Sequence, residues 1–512
     1  MKPSVELFNL IKTLTKSEKR FFKLNSSLQS GEKNYLKIFD YIERQGKYNE
    51  EELKDYFKDE VFIKHLPSEK NHLYKLILKS LRAYYSEQSV SAILKQEIKN
   101  VEILYRKALH KECVKFVKRA KRMAKEYEKF YYWFELISWE KKLLEEAYEE
   151  GIFNQNLDKL IEEETLVIEK LRNLAEYHIL YSKINYIFRS GGFTRNEGER
   201  KVVDEIADYH LIKGKNTAIS SRATTICYYI KGLCAASKRD YEEALINFRK
   251  SKTVMESNDK IKNDLEQRYI STLGFMLQCY IDSYDFDHAK MMIEELNGLS
   301  KGKYFNSIDS QVRIFTASCI GELQLFNRIG EFQKSLETFG HIEHQLERFD
   351  DKITKEKHLL FTYNMAYTYF GIGEYKTALK YINIVLNDNE KKLRQDIYSF
   401  ARIFNLIIHY ELSNTDFVEY DLKSAARYLS KYEKDYKVEE LFITYFKQLA
   451  KSTKESKNKE ILGEFYNDLN ALIESNEREH VILEYFDLLA WIASKNEGIP
   501  FSEAVKKRIS QN

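Results

Sequence analysis

Between Pro67 and Pro500 the chain contains no proline. Its three prolines are Pro3, Pro67 and Pro500, two close to the ends and one where a helix is expected to begin. Proline breaks helices more strongly than any other residue. Glycine, the other common turn former, numbers only 18 in 512 residues. A β-sandwich, barrel or doubly wound sheet of this length needs many more turn residues. The sequence therefore predicts an all-α chain. One core rarely grows to this size, so the helices are expected to form several domains or a linear array.

Composition excludes other classes. With 43 % hydrophobic and 31 % charged residues, the chain has the makeup of a folded protein. A net charge of +3 is too small for this length to indicate a partner. No apolar run approaches the ~20 residues of a membrane span. Met1 to Thr15 lacks the charged start, apolar stretch and cleavage site of a secretory leader. The expectation is a cytoplasmic protein with no membrane span. Cys113, Cys227, Cys234, Cys279 and Cys319 are scattered through apolar helical patterns. They are expected to be buried reduced thiols, since their spacing offers neither a disulfide framework nor a CxxC metal site.

Residues 1–90 read as a small helical head. Thr15-Lys16-Ser17-Glu18 is a capping box, in which each side chain can satisfy the other residue's N–H. Asn34 to Gln45 is amphipathic through Leu36, Phe39 and Ile42, and Asn49 to Glu52 starts a further helix. Another runs from Pro67, suited to a first helical turn, through Leu73, Ile77 and Leu81.

A repeat frame governs the middle of the chain. In the segment from Tyr228 to Ser251, Tyr228, Gly232, Tyr241, Ala244 and Phe248 fall at positions four, eight, seventeen, twenty and twenty-four. Small residues at eight and twenty let two antiparallel helices approach, and large residues fill the space between them. Ala366, Tyr369, Tyr375, Ala378 and Ile382 repeat the pattern, as do Phe286, Ala289 and Ile293, and Phe332, Ser335 and Phe339. This pattern resembles the tetratricopeptide repeat. The twentieth-position residues Ala244, Ala289, Ser335 and Ala378 are 45, 46 and 43 residues apart, against about 34 in that family. The helices or connectors are therefore expected to be longer. Leu104, Cys113, Val117 and Ala120 fit an earlier copy, residues 189 to 198 read as a loop or irregular joint, and the pattern decays after Tyr381.

The expected architecture is an α-solenoid of antiparallel helix pairs with long repeats and a helical N-terminal head. Its parts are the head at 1–90, divergent helical repeats at 91–215, tetratricopeptide-like repeats at 216–432 and a C-terminal helical cap at 433–512. The layout also resembles repeat proteins common in Bacteroidetes, a resemblance that implies no particular activity.

The resemblance implies a partner surface on the first helix of each pair. Its inward positions carry Tyr229, Gln278, Asp282, Gln324, Asn327, Arg328, Tyr363, Asn364 and Tyr367. Aromatic and amide groups on a rigid scaffold suit an extended peptide, because they supply area and hydrogen bonds at low ordering cost. The expected partner is thus a protein or peptide. The family's clamp for acidic chaperone tails is absent. Position five reads Tyr229, Gly274, Ile320 and Tyr363, where that clamp uses lysine.

Other features were weighed for chemistry. Lys107, Lys111, Lys115, Lys118, Arg122 and Lys125 step by three or four and form one basic stripe. It reads first as a solvated face and second as a nucleic-acid or acidic-protein contact. Glu50 to Lys58 followed by Pro67 to Tyr85 offers a helix-turn-helix alternative, with Lys70, Asn71, His72, Lys75, Lys79 and Arg82 on the second helix. That alternative makes the chain a transcriptional regulator with a repeat sensor. The connection is longer than the usual turn. His341 and His344 share a helix face without an apparent third ligand, and Ser190-Gly191-Gly192 lacks the context of a phosphate loop. No catalytic residues, metal or cofactor are expected.

Overall fold

The structure, a computed structural model, describes residues 5–27, 33–146, 153–191, 194, 197–302, 304–349, 352–388, 394–431, 437–452 and 454–511. Among them all regular structure is helical. The chain forms two compact units, Met1–Val167 and Ile168–Asn512.

In the first unit, α1 (Glu6–Thr13), α2 (Lys16–Ser27), α3 (Asn34–Arg44), α4 (Glu50–Tyr56) and α5 (Leu66–Tyr84) enclose Ile11, Phe22, Phe39, Leu53, Leu73 and Ile77. The capping box forms as expected. The Thr15 N–H donates to Glu18 at 2.5 Å, and the Glu18 N–H donates to Thr15 Oγ1 at 3.2 Å. Pro67 stands in the first turn of α5. Helices α6 (Val90–Arg106), α7 (His110–Glu126) and α8 (Phe130–Glu146) follow as successive antiparallel neighbours. The boundary between the units falls inside α9 (Phe153–Gly191). This helix corrects the expected joint at 189–198, because it continues to Gly191. Gly192, Phe193, Arg195 and Asn196 lie outside the described residues.

The second unit continues with α10 (Glu197–Asp208), α11 (His210–Lys213), α12 (Ser221–Ser237), α13 (Tyr241–Glu256), α14 (Asp259–Asp264), α15 (Glu266–Asp282), α16 (Phe286–Leu299), α17 (Ile308–Arg328) and α18 (Phe332–Phe349). Then come α19 (Lys355–Gly371), α20 (Tyr375–Leu386), α21 (Gln395–Glu411), α22 (Thr415–Lys431), α23 (Lys437–Lys451) and α24 (Glu455–Ser475). The last three are α25 (Val481–Tyr485), α26 (Leu488–Glu497) and α27 (Phe501–Gln511). The pairs are α12/α13, α15/α16, α17/α18, α19/α20, α21/α22 and α23/α24. First helices also stack on one another, α15 on α17, α17 on α19 and α19 on α21. That stacking makes the unit a solenoid with one face built from first helices.

The repeat frame is a packing frame. Ala244, Ala289, Ser335 and Ala378 are fully buried. A Cβ on Gly232 would stand 2.6 Å from the Phe248 ring, so the small residue at position eight is what lets the large one at twenty-four enter. Ser335 bonds Thr368 on the next first helix at 2.8 Å.

Five of these six pairs, α12/α13, α15/α16, α17/α18, α19/α20 and α21/α22, close through the same turn, which also joins α6 to α7 and α7 to α8. Ala108, Glu128, Arg239, Tyr284, Gly330, Gly373 and Ser413 all have positive φ, between 50° and 85°. In every case the next N–H donates to the carbonyl five residues back, as in Asp240 to Ala235 and Glu374 to Tyr369. This is the left-handed helix end that satisfies carbonyls the first helix leaves open. The turn residue stands five positions before Ala244, Ala289, Ser335 and Ala378. Ala108 stands five before Cys113, which places the earlier copy in register. Ser413 stands five before buried Val418 and marks a pair, α21/α22, where the apolar pattern had faded.

Ser413 is exposed and non-glycine in the left-handed region, a conformation that disfavours a Cβ by roughly 1–2 kcal/mol. Ser413→Gly is therefore expected to stabilise the chain by about 0.5–1 kcal/mol after unfolded-state entropy is set against the relief. Gly373→Ala is expected to destabilise it by a similar amount. Urea unfolding midpoints check both, and a lower midpoint for Ser413→Gly would contradict the turn geometry.

Candidate binding cavity

The nine groove residues read from the sequence all line one cavity of about 690 Å³ on the face made by α12, α15, α17 and α19. They do not all remain available. Asn327 and Asn364 are buried and tie α17 to α19: Asn327 Nδ2 donates to Asn364 O at 3.1 Å, and the Thr368 hydroxyl lies 2.9 Å from Asn327 Oδ1. Tyr229, Tyr363, Tyr367 and Arg328 are also buried. Gln278 and Gln324 remain partly exposed at the wall, and Gln278 donates at 2.9 Å to the carboxyl of Asp282, whose side chain is 8 % exposed.

The C-terminal segment occupies part of this face. The Tyr363 hydroxyl donates to Tyr485 O at 3.3 Å, and the Asp487 N–H donates to the Tyr367 hydroxyl at 3.1 Å. Arg328 donates to Leu483 O and pairs with Asp282 at 3.2 Å. Glu484 pairs with Arg239 at 3.1 Å and accepts the Tyr241 hydroxyl at 2.7 Å. The Tyr485 ring stacks on Phe400 with centroids 4.2 Å apart. The last helices therefore do more than cover the final pair, as the expected cap would. They return along the inner face and close one end of the cavity.

Two ends of different charge result. At the closed end, burial raises the Asp282 pKa and the facing Glu484 raises it further, while Arg328, Gln278 and Arg239 oppose the shift. At the open end, the starts of the first helices carry a row of cations. Arg222, Arg268, Arg313 and Lys357 succeed one another at 46, 45 and 44 residues, and Arg394 precedes α21. Arg268, Arg313, Lys357 and Arg394 all line the cavity. Arg222 is paired with Asp264, Arg313 with Asp309 at 2.7 Å, and Arg394 with Asp396 at 2.6 Å. Arg268 has no acceptor among the described residues, and its Nε and Nη1 are buried. Its guanidinium lies 5.2 and 5.3 Å from the ring centroids of Tyr181 and Tyr229. Burial holds the Lys357 pKa below the lysine range. Glu356 opposes that, and Arg394 and Arg313 add to it.

Sequence reasoning missed this row. The signal was there: Arg222, Arg268, Arg313 and Lys357 each stand 21 or 22 residues before the twentieth-position residue of their repeat. They lie two or three residues upstream of the frame's first position, in the part by which these repeats exceed the usual length.

The remaining candidates are placed as follows. Lys111, Lys115, Lys118, Arg122 and Lys125 are exposed on α7, and Lys125 pairs with Glu163 at 2.8 Å; Lys107 is exposed too but caps the end of α6, before the turn at Ala108, so the expected stripe loses its first member. Four cysteines are buried, Cys319 is half-buried, and all five are free thiols. The side chains of His341 and His344 lie outside the described residues. Among the described residues no group of three His, Cys, Asp or Glu is placed to hold a metal. No described helix is long and apolar enough to cross a membrane. On the would-be reading helix, Lys70 is tied to Glu50 at 2.5 Å, and α6 rather than a β wing follows Tyr85.

No protein-family model matches the chain, and no curated protein matches it. Among solved structures it is similar to the apo form of RapI, over 82 % of this chain and 99 % of that one. The two share 14 % identity with a TM-score of 0.39, a likeness too weak to carry an argument.

The raised Asp282 pKa sets a pH dependence. In the unfolded chain the carboxyl ionises near pH 4; in the fold it holds its proton longer. Stability from this group is therefore greatest at acid pH and falls as pH rises towards the folded pKa. Asp282→Asn cannot ionise, so its stability relative to the native chain is expected to rise from pH 5 to pH 8. Urea unfolding across that range checks it, and a constant difference would contradict the burial of the charge.

Proposed function

We propose that the chain is a non-catalytic cytoplasmic adaptor of tetratricopeptide-like repeats, whose inner cavity holds an extended segment of a protein partner. One observation carries this reading: the first helices of four consecutive pairs converge on a single cavity of about 690 Å³. That volume is in the range of sites that enclose a ligand of drug or short-peptide size. Its wall mixes aromatic rings with amides, which suits a main chain that needs hydrogen bonds and side chains that need area. The polar groups at the closed end are spent on structure. Asp282, Arg328, Glu484 and Arg239 bind one another, which supports a recognition role over a catalytic one.

Tyr363, Asn364 and Tyr367 are unsuited to testing this reading, because they are buried and bonded to the fold itself. Gln278 and Gln324 are the informative positions. Peptides selected from a random displayed library on the purified chain are expected to lose affinity by about 10-fold with combined Gln278→Ala and Gln324→Ala, a loss of about 1.4 kcal/mol. Tyr186→Ala, on an exposed side chain outside the cavity, is expected to leave it unchanged. Fluorescence anisotropy with a labelled selected peptide reads both. Enrichment of no peptide, or equal affinity for all three proteins, would overturn the reading.

A further inference from the structure

The open end of the cavity has an unusual property for a folded interior. Arg268 points a guanidinium into it with two buried nitrogens that meet no acceptor among the described residues. Buried charges are ordinarily paired, because an unpaired one forfeits its hydration without return. Neighbours deepen the imbalance instead of relieving it. Arg222 stands close enough to disfavour the Arg268 charge, and burial lowers the His178 pKa, with Arg268 and Arg222 adding to the effect. Two repeats on, Lys357 also lacks an ion-pair partner among the described residues, and Arg313 stands on the first helix between these two. The helix starts that carry them add the positive end of each helix dipole. The acids that line this end, Asp309 and Glu356, are already taken up by Arg313 and Arg394, and Asp282 and Glu484 lie at the closed end, held by Arg328 and Arg239.

We propose that the segment held in the cavity is acidic, and that it places carboxylates on Arg268 and Lys357 across Arg313. The proposal rests on the peptide-binding reading and names the chemistry of its occupant. A guanidinium presents parallel N–H donors that match a carboxylate's two oxygens. The Tyr181 and Tyr229 rings hold it in a fixed plane, so little freedom remains to be lost when the acceptor arrives. The row's period follows the repeat, so an extended chain with acidic side chains along one edge meets successive cations. Polynucleotides fit less well. A phosphate backbone asks for a continuous run of free cations, whereas Arg313 and Arg394 already hold carboxylates of this chain.

The experiment combines selection with substitution. Peptides selected from a random displayed library on the purified full chain are expected to be enriched in Asp and Glu. A labelled selected peptide is expected to bind Arg268→Gln, Lys357→Gln at least 10-fold more weakly, and to weaken with rising salt on the native chain. The melting temperature of Arg268→Gln alone is the control for folding. It is expected to stay level or rise, because the change removes a buried unpaired charge. A fall of many degrees would make Arg268 a structural residue and overturn the proposal. Selected peptides without acidic residues, bound through Gln278 and Gln324 and indifferent to Arg268→Gln, would overturn it while leaving the peptide-binding reading standing. A labelled single-stranded oligonucleotide that binds more tightly than any selected peptide, with the same dependence on Arg268 and Lys357, would replace it with a nucleic-acid site. No enrichment of any peptide would overturn both readings.

Discussion

One backbone constraint underlies the architecture: the helix pairs from α12/α13 to α21/α22 each reverse at a single residue in the left-handed region. The reversal ends the first helix with a bond from the following N–H to a carbonyl five residues back, and the second helix begins within a residue or two. So short a connection leaves two helices no arrangement except antiparallel contact. It also fixes where each twentieth-position residue lies, five residues on, against the first helix. Small residues there set the distance between the helices, and identical turns give identical offsets from pair to pair. First helices therefore stack on first helices, and the inner face follows from a local turn repeated along the chain.

What that face can hold is decided by a second, non-local interaction. The stretch from Leu483 to Asp487 lies against residues from Arg239 to Phe404. Its anchors are polar as well as apolar. Glu484 meets Arg239, while Asp282 meets Arg328, which also holds the Leu483 carbonyl. Taking any one of these charges out of water alone would cost several kcal/mol, and the mutual pairing offsets that cost. The arrangement spends both acids of the cavity's inner end on the fold. At the other end Arg313 and Arg394 are paired, and Arg268 and Lys357 are left to face the open space.

The sequence disclosed those parts of the fold that depend on side-chain size at a fixed period. Absence of proline predicted helices, and the positions of Ala244, Ala289, Ser335 and Ala378 predicted helix pairs. The turns themselves were harder to read, because only Gly330 and Gly373 use glycine while Arg239, Tyr284 and Ser413 adopt the same conformation without it. That is why α21/α22 did not declare itself as a pair. At the site, the frame picked residues of one face, since all nine line the cavity. It could not separate Asn327 and Asn364, which knit α17 to α19, from Gln278 and Gln324, which are partly exposed in the cavity wall. An amide side chain has one sequence signature and two uses, and only the neighbouring helix decides between them. The return of Leu483 to Asp487 was illegible, because its contacts span more than two hundred residues in some cases.

The row of cations shows how a repeat acquires a surface property without losing its packing. Its members stand upstream of the positions that pack the pair, on the added length of the first helices, so charge there does not disturb the interior. Within the row, partners are distributed unevenly. Arg222 and Arg394, at the two ends, are closed by Asp264, and by Asp396 with Glu356. Arg268 and Lys357, which line the cavity, are left open. Stacking on Tyr181 and Tyr229 returns on the order of 1–2 kcal/mol to Arg268, less than the several kcal/mol that burial of a lone charge costs. For folding alone an apolar side chain of similar length would serve better at that position. A charge kept at a net cost where the cavity adjoins it is what the proposed acidic occupant would offset.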